Sequence, residues 1–417
     1  MGAGLLTLDP AILAGIAERV GTPVYVYNGN AIRAQYHALQ DALQQVPHRV
    51  HYSVKANGNL GVLRILRQLG AGADIVSVGE LHRAIRAGFA PGEIVFSGVG
   101  KTAAELEQAV RSGVGFIHVE SSGELDSLVA AARRAAAPAG VGIRVNPDVT
   151  ADTHPYTKTG EKTTKFGVPF DEVVALARRI AEDPSVRLRS LAMHIGSQIT
   201  DVEPYRRGTV KLLELVAAVR ASGVQTLECL DVGGGLGVRY HDEELPSLRD
   251  FAAAVAPPVR AAGLTLLLEP GRFLVANAGV LLTRVLYRKH AGGREYVIVD
   301  AGMTDFVRPS HYHAHHDIVP LKDAARPTRV VNVVGPVCES GDFLALDRRL
   351  PLVEPGEYLV VLGAGAYGFV MSSTYNARPR PPEVIVEGDR WYVARPRESV
   401  EDLVRGEVGE PAEWQRL

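Results

Sequence analysis

Residues 49–57, RVHYSVKAN, are the stretch of this chain that most directly suggests chemistry. Alternating β-branched and aromatic residues predict a strand that ends at Lys55. An ammonium group in an apolar strand is costly to bury unless it has a partner or a function. One interpretation is a lysine that reaches out to solvent from the strand end. The other is a lysine whose pKa is lowered by burial, so that its free amine forms a Schiff base with an aldehyde.

Polar residues also stand at the ends of later predicted strands. Glu269 precedes Pro-Gly-Arg272, and His194 lies in the segment HIGSQ. A carboxylate facing a pyridine nitrogen would keep that nitrogen protonated and make the ring an electron sink. The alternative for Glu269 is a salt bridge to Arg272. His194 is interpreted either as a ring that stacks on a flat cofactor or as a core histidine.

A run of glycines, GGGLG at 233–237, follows a predicted strand. The backbone N–H groups of such a turn can bind phosphate oxygens. Phosphate sites in barrels favour the loops after strands seven and eight, which is where this run falls. A bend with close backbone packing is the alternative.

The elements that must position these residues alternate between strand and helix. Eight strands are predicted, at 49–55, 73–78, 93–97, 115–120, 140–146, 190–196, 226–232 and 264–269. Capping-box signatures begin three of the helices between them, at Ser77, Thr102 and Ser121. This order fits a parallel (β/α)₈ TIM-type barrel better than an open sheet, and the polar strand ends would then meet at its C-terminal face.

After about residue 280 the pattern changes to strands and turns, which predicts a second, antiparallel β domain and an α/β plus β fold class. The expected organisation is a barrel over 30–280, with 1–29 and 281–417 forming the β domain through an N-terminal strand at 22–28.

In this domain the segment GPVCESGD places Cys338 beside Glu339 in a turn. A reactive thiol is expected there rather than at Cys229, which lies inside a strand.

Two other motifs suggest sites that we do not predict. FSGVGKT at 96–102 resembles the end of a phosphate-binding P-loop, but the first glycine would fall on Val95. HYHAHHD at 311–317 contains several histidines but lacks the helical spacing of a metal site. No metal is therefore predicted.

The composition limits the classes of partner. The formal net charge is −2, which argues against nucleic acid or an anionic membrane as a partner. No apolar run is long enough to span a bilayer, and the N-terminus lacks the pattern of a signal peptide. The two cysteines lie far apart in the sequence, which indicates a reducing compartment. We expect a cytoplasmic protein.

Taken in order, the motifs resemble those of the diaminopimelate decarboxylases, in the alanine-racemase-like (fold type III) class of pyridoxal-phosphate enzymes. The matching segments are YSVKAN, DIVSVGEL, NPDV, THPYTKTGEKTTKFG, HIGSQ, DVGGGLG, EPGR, DAGMTDFVRP, CESGD and AYGFVMSSTYNARPRP. The resemblance runs through nearly the whole chain. It implies a barrel plus a β domain, pyridoxal 5'-phosphate as cofactor and a homodimer.

The resemblance also implies roles for residues. Lys55 would hold the cofactor covalently, His194 would stack on its ring, and Glu269 would face the pyridine nitrogen. Further cofactor contacts would come from Ser197, Gly234, Gly235, Gly237, Gly271, Arg272 and Tyr367. Substrate would contact Arg272, Arg308, Tyr312, Glu339 and Tyr367.

By the same resemblance, Cys338 would protonate the carbon that has lost CO₂, and Cys338 and Glu339 would reach into the partner's active site. The implied reaction is decarboxylation of meso-diaminopimelate to L-lysine, with Arg308 binding the distal carboxylate. Three alternatives remain: a decarboxylase of another or a carrier-tethered amino acid, such as ornithine, lysine or arginine; a racemase; and a non-catalytic regulatory relative.

Overall fold

The structure is a computed structural model that describes residues 8–150, 160, 164–322, 325–407 and 409. Most of the segment THPYTKTGEKTTKFG therefore lies outside the described residues. Among the described residues, no helix is both long enough and apolar enough to cross a membrane.

The regular elements follow one another in a simple order. The strands are β1 (Val24–Asn28), β2 (His48–Ser53), β3 (Gly72–Ile75), β4 (Ile94–Phe96), β5 (Phe116–Val119), β6 (Ala139–Arg144), β7 (Val186–Ala192), β8 (Cys229–Asp231), β9 (Thr265–Leu268), β10 (Gly279–Ala291), β11 (Arg294–Val299), β12 (Ile318–Pro320), β13 (Thr328–Val334), β14 (Phe343–Pro351), β15 (Tyr358–Val361), β16 (Glu383–Glu387) and β17 (Arg390–Arg395). The helices are α1 (Pro10–Val20), α2 (Gly29–Leu43), α3 (Leu60–Gln68), α4 (Val78–Ala87), α5 (Ala103–Ser112), α6 (Ser122–Ala135), α7 (Val173–Glu182), α8 (Glu203–Ala221), α9 (Leu248–Ala261), α10 (Arg272–Val275), α11 (Arg308–Tyr312) and α12 (Val400–Leu403).

Strands β2 to β9 close into a parallel barrel, which confirms the predicted (β/α)₈ architecture. Their side chains are almost all buried because one face fills the barrel interior and the other packs against helices. All eight strands overlap their predicted positions, and seven of them are shorter than predicted. Strand β7 has the predicted length but begins and ends four residues earlier than predicted, so His194 follows the strand. The C-terminal ends of the eight parallel strands therefore meet at one face of the barrel.

The predicted helix starts are real, but their caps differ in detail. Thr102 and Glu105 form a complete capping box at α5. At α4, Ser77 accepts from the backbone N–H of Glu80, whereas the Glu80 side chain accepts from Val76 instead of from the cap residue. Satisfying the first N–H groups of a helix in either way fixes where the chain leaves the strand end.

The first barrel strand ends earlier than predicted. Strand β2 stops at Ser53, and Lys55 lies in a single 3₁₀ turn over Val54–Ala56. The prediction that Lys55 ends the strand is therefore wrong by two residues. The turn places Lys55 above the end of β2, at the C-terminal face of the barrel.

The second sheet contains nine strands, in the order β14-β13-β11-β10-β1-β16-β17, with β15 pairing β10 and β12. Most pairs are antiparallel, as predicted, but β1 and β16 pair in parallel, as do β11 and β13. The sheet is therefore mixed. Strand β1 lies between β10 and β16, so the N-terminal strand is an internal part of this sheet.

Candidate active site

Lys55 makes its closest polar contact with a buried carboxylate. Its Nζ lies 2.9 Å from Oδ2 of Asp74, which also accepts a hydrogen bond from the Ser53 hydroxyl at 2.6 Å. Asp74 lies in β3 with a fully buried side chain, whereas the Lys55 side chain is 34% exposed. Lys55 therefore faces a partner inside the barrel mouth, and the interpretation of a lysine directed only at solvent does not hold.

The charge state of Lys55 differs from the expectation. Burial works against the ammonium, but the negative charges of Asp74 and Glu269 outweigh it and raise the pKa of Lys55 above its usual value. In turn, Lys55 holds the pKa of Asp74 below its usual value, against the effect of burial. The predicted lowering of the Lys55 pKa is therefore wrong for the protein without ligand, because the strand pattern gave no sign of Asp74 as its partner.

Glu269 follows β9 and is buried among other acidic and polar groups. The Ser97 hydroxyl donates to its Oε1 at 3.2 Å, and Nδ1 of His118 lies 3.7 Å from the same oxygen. A carboxylate oxygen of Asp231, at the end of β8, lies within 4.8 Å of a ring nitrogen of His118 and of a carboxylate oxygen of Glu269. Glu269 forms no ion pair with Arg272, so that alternative does not describe the structure.

The acidic groups of this cluster favour their protonated forms. Burial, followed by the nearby charges of Asp231 and Asp74, raises the pKa of Glu269 well above its usual value. Burial likewise raises the pKa of Asp231 to about 7. Burial lowers the pKa of His118 to about 3, so the neighbouring ring supplies no positive charge. A protonated ring nitrogen would provide the missing counter-charge.

These residues line a cavity of about 220 Å³ at the C-terminal face of the barrel. Its lining includes Lys55, Ser97, His118, Arg144, Phe166, His194 and Glu269. The structure thus brings together the lysine, histidine and carboxylate that the sequence singled out. The backbone N–H of Gly234 points at Nδ1 of the His194 ring, at 3.3 Å. Burial lowers the pKa of His194 to about 3, so the ring is neutral and suited to stacking.

The glycine run forms a tight bend beside this cavity. A Cβ on Gly234 would lie 2.1 Å from the carbonyl oxygen of Glu269, and one on Gly235 would lie 2.4 Å from that of Gly196. Close backbone packing, the alternative considered for this run, therefore accounts for these two glycines. Gly237 gives its N–H to the carbonyl of Ile199.

The same region retains donors for an anion. Among the described residues, the backbone N–H groups of Gly235 and Gly271 form no hydrogen bond.

Buried side-chain atoms are also left without a partner, namely Oδ1 of Asp74, Nε2 of His118 and Nε of Arg272. Buried polar groups without partners are uncommon in folded proteins. A ligand with an aldehyde, a basic ring nitrogen and a phosphate fits this set of groups.

A second group of residues lies beside the cavity, around two buried arginines. Arg272 donates to the hydroxyls of Tyr240, at 2.7 Å, and Ser197, at 3.0 Å. The Arg308 guanidinium carbon lies 5.3 Å from the centre of the Tyr240 ring. Arg272 also lies over the Tyr367 ring, at 4.9 Å. Among the described residues, neither arginine has a carboxylate partner, so the pair is suited to an incoming anion.

The β domain reaches this group through backbone contacts to the Lys55 turn. The N–H of Tyr367 donates to the Ala56 carbonyl at 2.8 Å, and the Asn57 side chain donates to the Gly365 carbonyl at 3.0 Å. Tyr367 has a φ of 55°, in the left-handed region that is unusual for a residue with a side chain. These contacts hold the tyrosine next to Lys55.

The remaining predicted residues lie apart from the cavity. Cys338 and Glu339 are exposed on the β domain and do not line the cavity. The N–H of Cys338 is held by the Asn376 side chain at 3.1 Å. Cys229 is buried in β8, and burial raises the pKa of its thiol to about 11, which makes it unreactive.

The histidine-rich motif has a structural arrangement of its own. His315 and Asp317 lie with His241 in a group whose ligand atoms are within 4.8 Å of one another. Arg348 donates to Nδ1 of His315 at 3.2 Å, while Nε2 of that ring contacts Asp317 at 2.9 Å. A guanidinium at this distance disfavours a metal ion, because two positive charges would be adjacent.

Several residues of the site were not predicted from the sequence. Asp74 and Asp231 are carboxylates inside otherwise apolar strands, which is a signal that could have identified them. Ser97 directly follows β4, and His118 is a polar residue inside the neighbouring strand β5. Tyr240 lies in an irregular segment, and no pattern distinguishes it from a surface tyrosine.

The comparisons with known proteins agree with this geometry. Residues 30–276 match the sequence model of the pyridoxal-binding domain of pyridoxal-dependent decarboxylases. The chain is 49% identical over 402 residues to a diaminopimelate decarboxylase of Pseudomonas aeruginosa, covering 96% of each chain. It is 44% identical over 401 residues to one of Vibrio cholerae, again covering 96% of each chain.

Solved structures show the same likeness. The diaminopimelate decarboxylase of Helicobacter pylori, solved with L-lysine, matches with a TM-score of 0.91 and 40% identity over 94% of this chain and 98% of that one. A lysine/ornithine decarboxylase of Vibrio vulnificus, at 22% identity and a TM-score of 0.80 over 92% of this chain and 99% of that one, shares the fold.

The Lys55–Asp74 pair makes a testable prediction about cofactor capture. Replacing Asp74 by Asn should lower the pKa of Lys55, because the carboxylate that raises it is lost. An aldehyde reacts with the neutral amine, so cofactor-free protein should capture pyridoxal phosphate at a pH lower by about one unit. Absorbance of the bound cofactor across a pH series measures this midpoint. The exposed Asp41→Asn is the control, and an unchanged midpoint in Asp74→Asn would contradict the assignment.

Proposed function

The chain belongs to the pyridoxal-dependent decarboxylases and, within them, to the diaminopimelate decarboxylases. We propose that it removes CO₂ from the D-centre of meso-diaminopimelate to give L-lysine. The observation that carries this proposal is the pair of arginines, Arg272 and Arg308, beside the Lys55 cavity. A buried guanidinium without a counter-ion is costly, so the pair suits a substrate that brings carboxylates. Lysine, ornithine and arginine have no carboxylate at the far end and would leave one cation unpaired.

Pyridoxal phosphate fits the groups around the cavity. Lys55 would hold its aldehyde carbon, Glu269 would face its ring nitrogen, and His194 would lie against its ring. Gly235 and Gly271 offer backbone N–H groups for the phosphate. When bound, the cofactor supplies a ring that accepts the electron pair released as the carboxylate leaves.

The residues of this chain then have separate tasks. Glu269 would keep a proton on the ring nitrogen of the cofactor, since its buried carboxylate would gain a counter-charge there. Lys55 would hold the aldehyde carbon of the cofactor, and Asp74, 2.9 Å away, stabilises Lys55 as an ammonium whenever it is not bound to that carbon. Arg308 binds the distal carboxylate, and a guanidinium can do so through two parallel hydrogen bonds. Arg272 and Tyr367 line the path between these two ends.

Cys338 and Glu339 support the proposal of a homodimer with shared active sites. Both are exposed on the β domain, outside the Lys55 cavity. To donate a proton to the carbon that has lost CO₂, the Cys338 thiol must enter a cavity that its own subunit does not bring to it. A two-fold related subunit would supply it, because the same contact is then made twice.

A cytoplasmic location is also part of the proposal. The described helices include none that could cross a membrane, and Cys229 and Cys338 are free thiols. A reducing compartment keeps such a thiol free to donate a proton, because disulfides rarely persist there.

The substrate assignment is tested by product analysis. Purified holoenzyme should form lysine from meso-diaminopimelate and no product from lysine, ornithine or arginine. Arg308→Met should lower kcat/KM for meso-diaminopimelate roughly 30- to 700-fold, since losing one partner of a buried charge pair costs about 2–4 kcal/mol. Arg349→Met is the control, because Arg349 is an exposed arginine of β14 whose side chain forms no ion pair with the described residues.

Either of two results would contradict this assignment. Product from a substrate without a distal carboxylate would move the protein to another decarboxylase group. Loss of activity in Arg308→Met no larger than in the control would remove the role given to Arg308.

The shared-site arrangement predicts complementation between inactive variants. Lys55→Ala and Cys338→Ala should each be nearly inactive as pure dimers. Co-expressed with different tags and isolated as the mixed dimer, they should regain about half of the wild-type activity, because one of two sites is intact. If Cys338 acted within its own subunit, the mixed dimer would have no intact site and would stay inactive.

A further inference from the structure

His316 is a fully buried histidine that the reaction described above does not use. It lies between α11 and β12, with 0% of its surface exposed. Its Nδ1 lies 2.9 Å from the carbonyl oxygen of Leu362. A carbonyl oxygen only accepts hydrogen bonds, so Nδ1 carries the hydrogen and Nε2 presents a lone pair in the neutral ring.

The lone pair of His316 points at a substrate-binding candidate. Nε of Arg308 lies 3.2 Å from Nε2 of His316. A guanidinium only donates hydrogen bonds, so this contact requires the same tautomer that Leu362 imposes. Burial and the charge of Arg308 lower the pKa of His316 well below its usual value, which keeps the ring neutral. The two contacts are therefore mutually consistent.

The ring itself is held rigidly. Edge-to-face contacts place it 4.9 Å from the Tyr240 ring and 4.6 Å from the Phe306 ring. Such packing fixes the plane of the imidazole, and hence the direction of its lone pair. Tyr240 also accepts from Arg272, so one tyrosine contacts both the histidine and the second arginine.

The contact with His316 uses only the Nε–H of Arg308. Among the described residues, Nη1 and Nη2 of Arg308 form no hydrogen bond. A guanidinium anchored through Nε presents its two Nη groups as a fixed fork, the geometry that a carboxylate accepts. Without the anchor, the long side chain would lose more rotamer freedom on binding.

We propose that His316 is a positioning residue that fixes the guanidinium of Arg308 and thereby sets the preference for ligands with a distal carboxylate. The inference rests on the proposed function, because it deepens the role given there to Arg308. His316 does not touch the substrate in this account. Its effect on binding passes through Arg308 alone.

A pair of variants separates the two hydrogen bonds of the ring. His316→Asn keeps a donor near the position of Nδ1 but has no acceptor that reaches Arg308. His316→Gln places its amide oxygen near the position of Nε2 and should keep the contact with Arg308. If the role is positioning, Asn should impair binding and Gln should largely preserve it.

The binding test uses holoenzyme and two competitive ligands, L-lysine and cadaverine. Bound as the product, with its side-chain amine at the cofactor end, lysine places its single carboxylate at the distal position, and cadaverine differs from lysine only in lacking that carboxylate. In His316→Asn the inhibition constant of lysine and the KM of meso-diaminopimelate should rise about 10-fold, the loss expected for one hydrogen bond to a charged group. The inhibition constant of cadaverine and kcat should stay within about twofold, since neither depends on the distal carboxylate. A general disturbance of the site would weaken both ligands equally, and that result would overturn the proposal.

A double-mutant cycle provides a second check. Arg308→Lys removes Nε, so adding His316→Asn to it should produce no further loss of lysine affinity. Additive losses would mean that His316 acts by another route. If His316→Asn does not fold, His316→Gln alone tests the proposal, because a 10-fold loss of lysine affinity in a variant that keeps the acceptor for Arg308 would contradict it.

A third measurement does not depend on the reaction. Long-range ¹H–¹⁵N spectra of histidine-labelled protein without cofactor should contain the signals of a neutral histidine ring with its hydrogen on Nδ1. These signals should be missing from the spectra of His316→Gln. A charged ring or the other tautomer would refute the proposal even if the enzyme made lysine. Conversely, the expected tautomer with no lysine formed from meso-diaminopimelate would reject the proposed function and leave the Arg308–His316 contact intact.

Discussion

The site depends on the burial of several carboxylates around one lysine. Asp74 lies near the end of β3, Asp231 ends β8 and Glu269 follows β9, all at the same face of the barrel, where water cannot solvate them fully. Lys55 neutralises Asp74 and remains charged, while Asp231 and Glu269 stay close together without a cation between them. A buried pair of acids resolves this by retaining a proton. A cationic ring nitrogen would relieve the same constraint, so the cluster is prepared for the cofactor before it arrives.

The β domain provides the other half of the site. Its loop at Tyr367 is hydrogen bonded to the turn of Lys55. A short helix of the same domain, α11, carries Arg308, which lies beside Arg272 of the barrel. In the proposed function, the barrel would supply the groups for the cofactor, and the second domain would supply Arg308 for the substrate's far end. Placing the two tasks on different domains allows substrate choice to vary while the cofactor chemistry is kept.

The sequence was informative where the physical signal was local. The period of the strands and the glycine and capping residues at their ends were enough to predict the barrel, and polar residues at those ends pointed to Lys55, His194 and Glu269. The predicted lowering of the Lys55 pKa was wrong because this pKa depends on Asp74, a partner from another strand. The parallel pairing of β1 with β16 also escaped prediction, since strand direction follows from the chain path and not from residue pattern. His316 stood in a motif considered only for metal binding.

The most direct test of the account is the pH dependence of stability in cofactor-free protein. Acids with a raised pKa in the folded state stabilise it fully below their unfolded pKa, and this stabilisation is lost as the pH rises through the folded value, which is about 7 for Asp231. The difference in unfolding free energy between Asp231→Asn and wild type isolates this effect from other titrating groups. The account predicts that the variant gains relative stability, by about 2–4 kcal/mol, from pH 4 to pH 8, and that pyridoxal phosphate reduces this gain. A difference independent of pH would contradict the claim that the buried acids retain a proton.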